Sequence, residues 1–308
     1  MNYNHFGLLL KEVRTMNNMT LEELSKGICS IRQLSRIESG ENNRSIFILH
    51  SISKKLNIDL QEYYRIYFCS GSFIAYNFKS KFEQLVATSD IISLKELIEK
   101  IEIMDEFQDG ENRQNVLYGK ALCSTRLDNN YSMSNNYCKV GLEIEDSAFN
   151  LDMIKNNFYS NVGLTMINLL ASNYNRMKET DISLSIFENL FLSLENHIFD
   201  TPFTMYRSLD FEKKIYQTIS CNLSVLNMNK AKYNESLEYV NKGISLSKKE
   251  NYMRFFPELL AQKSRLLYKM GRYDESYKLF TDCLSFYRIC RDKESTKKIE
   301  KEIKNTFS

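Results

Sequence analysis

The stretch Met19–Gly40, MTLEELSKGICSIRQLSRIESG, constrains the chain more than any other. Thr20 followed three residues later by Glu23 is a capping box, in which two orphan amides at a helix start are satisfied reciprocally. Leu21 and Leu24 are apolar at helical spacing, and Lys26-Gly27 supplies the left-handed stop that ends many helices. Ile28 fills the turn. Ser30 caps a second helix in which Ile31, Leu34 and Ile37 recur every three residues, and Gly40 closes it. Two short helices joined by a glycine-containing turn are the sequence form of a helix-turn-helix.

Helices are expected around it as well. Only 2 prolines and 10 glycines occur in 308 residues, and so few breakers argue for an all-α protein. Asn4 to Asn17 reads as a first helix with Phe6, Leu9, Leu10 and Val13 as its apolar stripe. Ser45 to Leu56 reads as a fourth, with Ile46, Leu49, Ile52, Ser53 and Leu56 on one side. Leu60 to Phe68 reads as a fifth. Its aromatics, Tyr63, Tyr64, Tyr67 and Phe68, suit packing against a neighbouring domain or subunit better than base stacking. The bundle then closes at residue 68, with Cys69-Ser70-Gly71-Ser72 as a linker and residues 73–308 as a second domain.

The formal net charge is +2, and the first 68 residues hold nine Lys/Arg against seven acids. Any DNA binding must therefore rest on where the basic groups sit, not on bulk charge. The second helix of the motif carries Arg32, Gln33, Ser35 and Arg36 on its polar side, behind Ser30. A helix fits the major groove of B-DNA and its N-terminal side chains reach base edges. Arg pairs in bidentate fashion with guanine and Gln with adenine. The amide at Thr20 and the side chain of Arg44 are candidates to grip phosphate. The bland alternative is a solvated face on a small bundle.

Enzyme chemistry is not visible. The chain has no GxGxxG, Walker loop, HExxH or GxSxG, and acidic pairs such as Glu22-Glu23 fall on solvated helix positions. Seven cysteines without a CxxC pair and three scattered histidines are neither a disulfide framework nor a metal signature. No cofactor or metal is expected, and the cysteines read as reduced thiols of a cytoplasmic protein. No apolar run approaches the roughly 18 residues of a membrane span, and no signal peptide is visible.

Beyond residue 72 the breaks resemble one another. LDNNYSMS, MKETDISLS, NKAKYNESLEY and MGRYDESYKLF each place a turn before a new helix. Tyr233, Glu235 and Ser236 align with Tyr273, Glu275 and Ser276. Bulky residues at the turn, a small residue three positions on and small residues where paired helices touch, such as Gly243, follow the tetratricopeptide pattern. About five helical hairpins are expected, stacked as a right-handed solenoid. Aligning the units on Ala171, Ser224 and Ser264 places Thr165, Asn168, Asn175 and Arg176 on the concave face. Cys221, Val225, Met228 and Asn229 join them from the next unit, and Arg265, Tyr268 and Lys269 from the one after, with Arg126 from an earlier unit. Asn can donate to and accept from a peptide backbone together, Arg takes a carboxylate through two bonds, and Val or Met accommodates an apolar side chain. This is the composition of a groove for a short extended peptide; the bland reading is plain helix surface.

The phrase TLEELSKGICSIRQLSRIESG followed by ILHSISKKLNIDLQEYY resembles the lambda-repressor-like, XRE-type helix-turn-helix domain, and most of all that of the Rgg/PlcR peptide-pheromone regulators. The resemblance implies that Arg14 and Glu38 pair as an internal brace. It also implies a tetratricopeptide-like second domain that binds a re-imported signalling peptide, and a homodimer on a palindromic double-stranded operator in quorum sensing. The family often carries Gln directly after the cap of the second helix as a phosphate clamp; Leu21 stands there. Two other expectations compete. One is a peptide-independent XRE-type repressor of phage or mobile elements, and the other a repeat adaptor that binds a partner protein.

Overall fold

The computed structural model describes residues 6–41, 46–56, 73–199, 210–249 and 252–307. Among the described residues all regular structure is helical. The chain falls into two compact units, 1–128 and 129–308. The expected fifth helix and the 69–72 linker lie outside the described residues, so the expected boundary between domains is a proposal.

The first unit opens with α1 (Phe6–Met16), α2 (Leu21–Ser25), α3 (Ile31–Glu38) and α4 (Ile46–Leu56). Leu10, Leu24, Leu34, Ile37, Leu49, Ile52 and Leu56 form their core, each less than a twentieth exposed. The capping box is formed as expected. The Glu23 amide donates to the Thr20 hydroxyl at 3.1 Å, and the Thr20 amide to the Glu23 carboxylate at 2.7 Å. These bonds hold the Glu23 carboxyl below its usual range. Gly27 and Gly40 sit at φ of +79° and +80°, the conformation each stop requires. Leu21 is half-buried against the core.

The apolar spacing of α3 needs one correction. Leu34 and Ile37 are buried, but Ile31 is 47% exposed. Ile28 and Cys29, in the turn before α3, take the core position that a period of three would assign to Ile31. The rest of the unit contains α5 (Phe73–Thr88), α6 (Ile91–Ile101), a short 3₁₀ turn and α7 (Gly110–Arg126).

The second unit runs through α8 (Tyr131–Glu145), a 3₁₀ segment (Leu151–Asn156), α9 (Asn161–Arg176), α10 (Thr180–Phe199), α11 (Asp210–Asn229), α12 (Tyr233–Lys249), α13 (Phe256–Lys269), α14 (Tyr273–Ile289) and α15 (Lys293–Phe307). Each helix packs on the next, and the first helices of successive hairpins, α9, α11 and α13, also touch in order. The four sequence breaks are all turns, and each has one residue in left-handed conformation two positions before the helix. These are Asn129, Lys178, Ala231 and Gly271.

Three residues into each of α8, α10, α12 and α14 stands a fully buried serine: Ser134, Ser183, Ser236 and Ser276. The last two close reciprocal clasps. Ser236 donates to the Ser224 carbonyl at 2.7 Å with the two hydroxyls 2.9 Å apart. Ser276 donates to the Ser264 carbonyl at 2.8 Å, and Ser264 donates back to the Ser276 carbonyl at 2.5 Å. In the α9–α10 hairpin the matching partner is Ala171, and the Ser183 hydroxyl has no hydrogen-bond partner among the described residues. Removing a satisfied hydroxyl costs about 1 kcal/mol, whereas removing an unsatisfied buried one costs little or stabilises. Ser236→Ala should therefore lower stability by about 1 kcal/mol, and Ser183→Ala should be neutral or stabilising. Urea unfolding followed by circular dichroism separates the two.

Aromatic packing joins α10, α11 and α12. Phe191 stacks on Tyr216 with centroids 4.6 Å apart, and Tyr239 meets Phe191 edge-on at 5.4 Å. The Tyr216 hydroxyl donates to Glu195 at 3.1 Å. Lys242 lies 3.2 Å from Glu195 and 5.2 Å from the Phe191 ring centre. Burial pushes the Cys138 and Cys283 thiols up to about 12, so both stay protonated and unreactive near neutral pH.

Candidate functional site

The helix-turn-helix presents polar side chains along the outer side of α3. The Ser30 hydroxyl accepts the Gln33 amide at 3.1 Å, which fixes the start of α3. Arg32, Ser35 and Arg36 are exposed and Gln33 is half-buried beside them. Arg36 Nε stands 3.7 Å from a Glu41 oxygen with both side chains more than half exposed. Such a pair is worth little and yields readily to phosphate.

The face is held from behind by a buried ion pair. Arg14 Nε and Nη2 donate to the two Glu38 oxygens at 2.7 and 2.9 Å, and Nη1 donates to the Met19 carbonyl at 2.7 Å. The Glu38 bonds raise the Arg14 pKa further above its ordinary value. One residue in α1 thus ties the end of α3 to the segment leading into α2.

Thr20 differs from its expected role. Its amide and hydroxyl are both engaged by Glu23, so a phosphate would have to displace that carboxylate, and Thr20 acts as a cap and not as a free donor. Arg44 lies outside the described residues.

In the second unit, α9 and α11 bring three expected groove residues together. Asn175, Arg176 and Val225 line a cavity of about 120 Å³ with Ser172, Phe187, Asn222 and Leu226. Arg176 also lies 5.6 Å from the Tyr131 ring centre. Higher on α9, Thr165 donates to the Asn161 carbonyl at 2.6 Å. Asn168 is half-buried and its side-chain oxygen has no partner among the described residues. Met228 packs on the core cluster of α12 to α15, and Asn229 is exposed at the end of α11. Cys221 is half-buried. Lys269 borders a more open recess of about 590 Å³ beside the turn at 231–235.

Arg265 and Tyr268 are already engaged by the last helix. Arg265 Nη2 donates to Glu302 at 2.8 Å, with Nε on the other oxygen. Tyr268 meets Phe307 edge-on at 5.5 Å. Arg126 is exposed at the end of α7, in the first unit. Asn222 and Ser172 were not expected in this cavity. The signal for Asn222 was its spacing of seven residues from Asn229, which mirrors Asn168 and Asn175 on α9.

Among the described residues no helix is long and apolar enough to cross a membrane, and no group of three His, Cys, Asp or Glu residues is placed to hold a metal ion.

The architecture defined by these parts is a helix-turn-helix module followed by helical repeats. Residues 10–63 match the helix-turn-helix family profile. No curated protein matches the sequence. Among solved structures, the fold is similar to that of Bacillus thuringiensis PlcR in complex with the peptide PapR7 and DNA. The identity is 20%, 96% of this chain and 99% of that chain are covered, and the TM-score is 0.68. It is similar to the pheromone receptor Rgg2 of Streptococcus dysgalactiae at 14% identity, covering 98% and 99%, with a TM-score of 0.58. It is similar to ComR from S. thermophilus in complex with DNA and its signalling peptide ComS at 18% identity, covering 99% and 100%, with a TM-score of 0.54.

Proposed function

We propose that this chain is a cytoplasmic, DNA-binding transcription regulator of quorum sensing, controlled by a short signalling peptide held against α9 and α11. The observation that carries the reading is the pairing of two surfaces in one chain. One is the exposed Arg32, Ser35 and Arg36, with half-buried Gln33 beside them, on a braced helix-turn-helix. The other is a small apolar cavity rimmed by Asn175, Arg176 and Asn222. Asparagines seven apart on neighbouring helices suit the alternating donors and acceptors of an extended backbone. Arg176 suits a carboxylate; of the other two expected arginines, Arg265 is held by Glu302 and Arg126 belongs to the first unit. Thr165 and Asn168 extend the contact up α9, and Met228 and Asn229 extend it down α11. Two copies would read the two halves of a palindromic operator, with half-sites about one DNA turn apart. The peptide acts by binding the two arrangements of the recognition helices with different affinity.

The test takes the two surfaces separately. Arg32→Ala with Gln33→Ala should reduce affinity for the selected operator by about 100-fold or more while leaving the circular dichroism spectrum unchanged. Asn175→Ala with Arg176→Ala should leave DNA binding by the free protein intact and abolish its response to peptide. A protein whose operator affinity is unmoved by every short peptide exported by the same cell is not peptide-controlled.

A further inference from the structure

Ile31 is the first residue of α3, and 47% of its surface is open to solvent. It stands between the Ser30 cap and the Arg32–Gln33 pair. Among the described residues of these four helices, the other strongly exposed apolar side chains, Met16 at 73% and Phe47 at 80%, lie on α1 and α4. Ile31 alone among them belongs to the turn of α3 that would meet base edges.

An aliphatic group here is unexpected on stability grounds. The cap bond involves Ser30 and Gln33, and the core is filled by Leu34, Ile37, Ile28 and Cys29. Ile31 joins neither. In the major groove every base pair shows polar edge atoms, and the one apolar group is the 5-methyl of thymine. A β-branched side chain has few χ1 rotamers, so it presents a fixed apolar surface at little entropic cost.

We infer that Ile31 is a specificity-determining residue that reads a thymine methyl group, next to the base pairs addressed by Arg32 and Gln33. The inference rests on the DNA-binding reading above. It adds that the half-site contains a thymine whose methyl, not its hydrogen-bonding edge, is recognised.

The experiment begins by selecting a half-site from randomised duplex DNA with the full-length protein. Each thymine of the selected site is then replaced in turn by deoxyuridine, which removes the methyl and keeps the base pair. For the wild type one replacement should weaken binding about fourfold, the worth of one buried methyl group. Ile31→Ala should bind the thymine site more weakly and respond to that replacement less than 1.5-fold. Ile31→Val, which keeps a branched apolar surface, should retain most of the response. Circular dichroism should show all three proteins equally folded, because Ile31 is not in the core. If the wild type ignores every deoxyuridine, or Ile31→Ala keeps the full response, Ile31 does not read a methyl. If the wild type selects no sequence at all, the DNA-binding reading fails together with this one, and that outcome is distinct from the other two.

Discussion

Gly7→Ala should strongly destabilise the helix-turn-helix module through a backbone clash. A Cβ at residue 7 would lie closer than 3.0 Å to the carbonyl oxygens of Ile37 and Glu38. Both are backbone atoms, so no side-chain rotation relieves the clash. Helix α1 would have to retreat from the end of α3, opening gaps beside Leu10 and Ile37, both at the centre of the bundle. Overpacking against a movable neighbour costs about 1–3 kcal/mol, and a rigid one puts this substitution at or above the top of that range. A module of this size has about 5 kcal/mol in total. The expected result is a loss of about 3 kcal/mol in the unfolding of the module, with operator binding lost at 37 °C and recovered on cooling. Thermal melting of the full chain checks it. A melting profile within two degrees of wild type would show that α1 and α3 are not packed as described.

Arg14→Ala is the second large effect, with a different origin. The Arg14 and Glu38 side chains are 12% and 6% exposed. Removing the cation leaves a buried carboxylate without its partner and frees the Met19 carbonyl, at a cost of about 3–5 kcal/mol. A neutral double variant, Arg14→Met with Glu38→Leu, removes both charges and should recover most of that loss. Unfolding free energies of both singles and the double close the cycle. A double variant no better than the sum of the singles would mean that the pair acts through packing alone. The DNA readout should follow stability in this series, because neither residue lies on the exposed face of α3.

Much of the module was legible in the sequence because its determinants are local. A capping box spans three residues, and a glycine stop needs only a residue that tolerates positive φ. Gly27 and Gly40 both meet that need. The Arg14–Glu38 brace spans 24 residues and was accessible only through resemblance. Ile31 misled because a spacing of three cannot say which end of an apolar series faces the core; Ile28 and Cys29 decided it from the preceding turn. The capping-box spacing of Thr20 and Glu23 already implied an engaged Thr20 amide, and the geometry adds that the Thr20 hydroxyl also meets the Glu23 carboxylate. In the repeats, the hairpins containing Ser236 and Ser276 were readable because their clasps repeat in sequence. The engagement of Arg265 was not. Its partner Glu302 lies 37 residues away on a helix whose approach to α13 depends on the packing of α14 and α15.

The left-handed turn residues carry a consequence for how such a chain changes in length. Asn129, Lys178, Ala231 and Gly271 always come two residues before their helix, yet the intervals separating them are 49, 53 and 40 residues. Much of the surplus falls where one hairpin hands over to the next, as in the Leu151–Asn156 segment before α9. Hairpins that alternate direction bring all their tight turns to one end and all their hand-overs to the other. Additions and deletions can therefore accumulate at the hand-over end without moving Asn175, Arg176 or Val225 relative to one another. Each of these lies near the tight-turn end of its helix. Lineages descended from such a chain would vary in size at one end of the helices and stay conservative at the other.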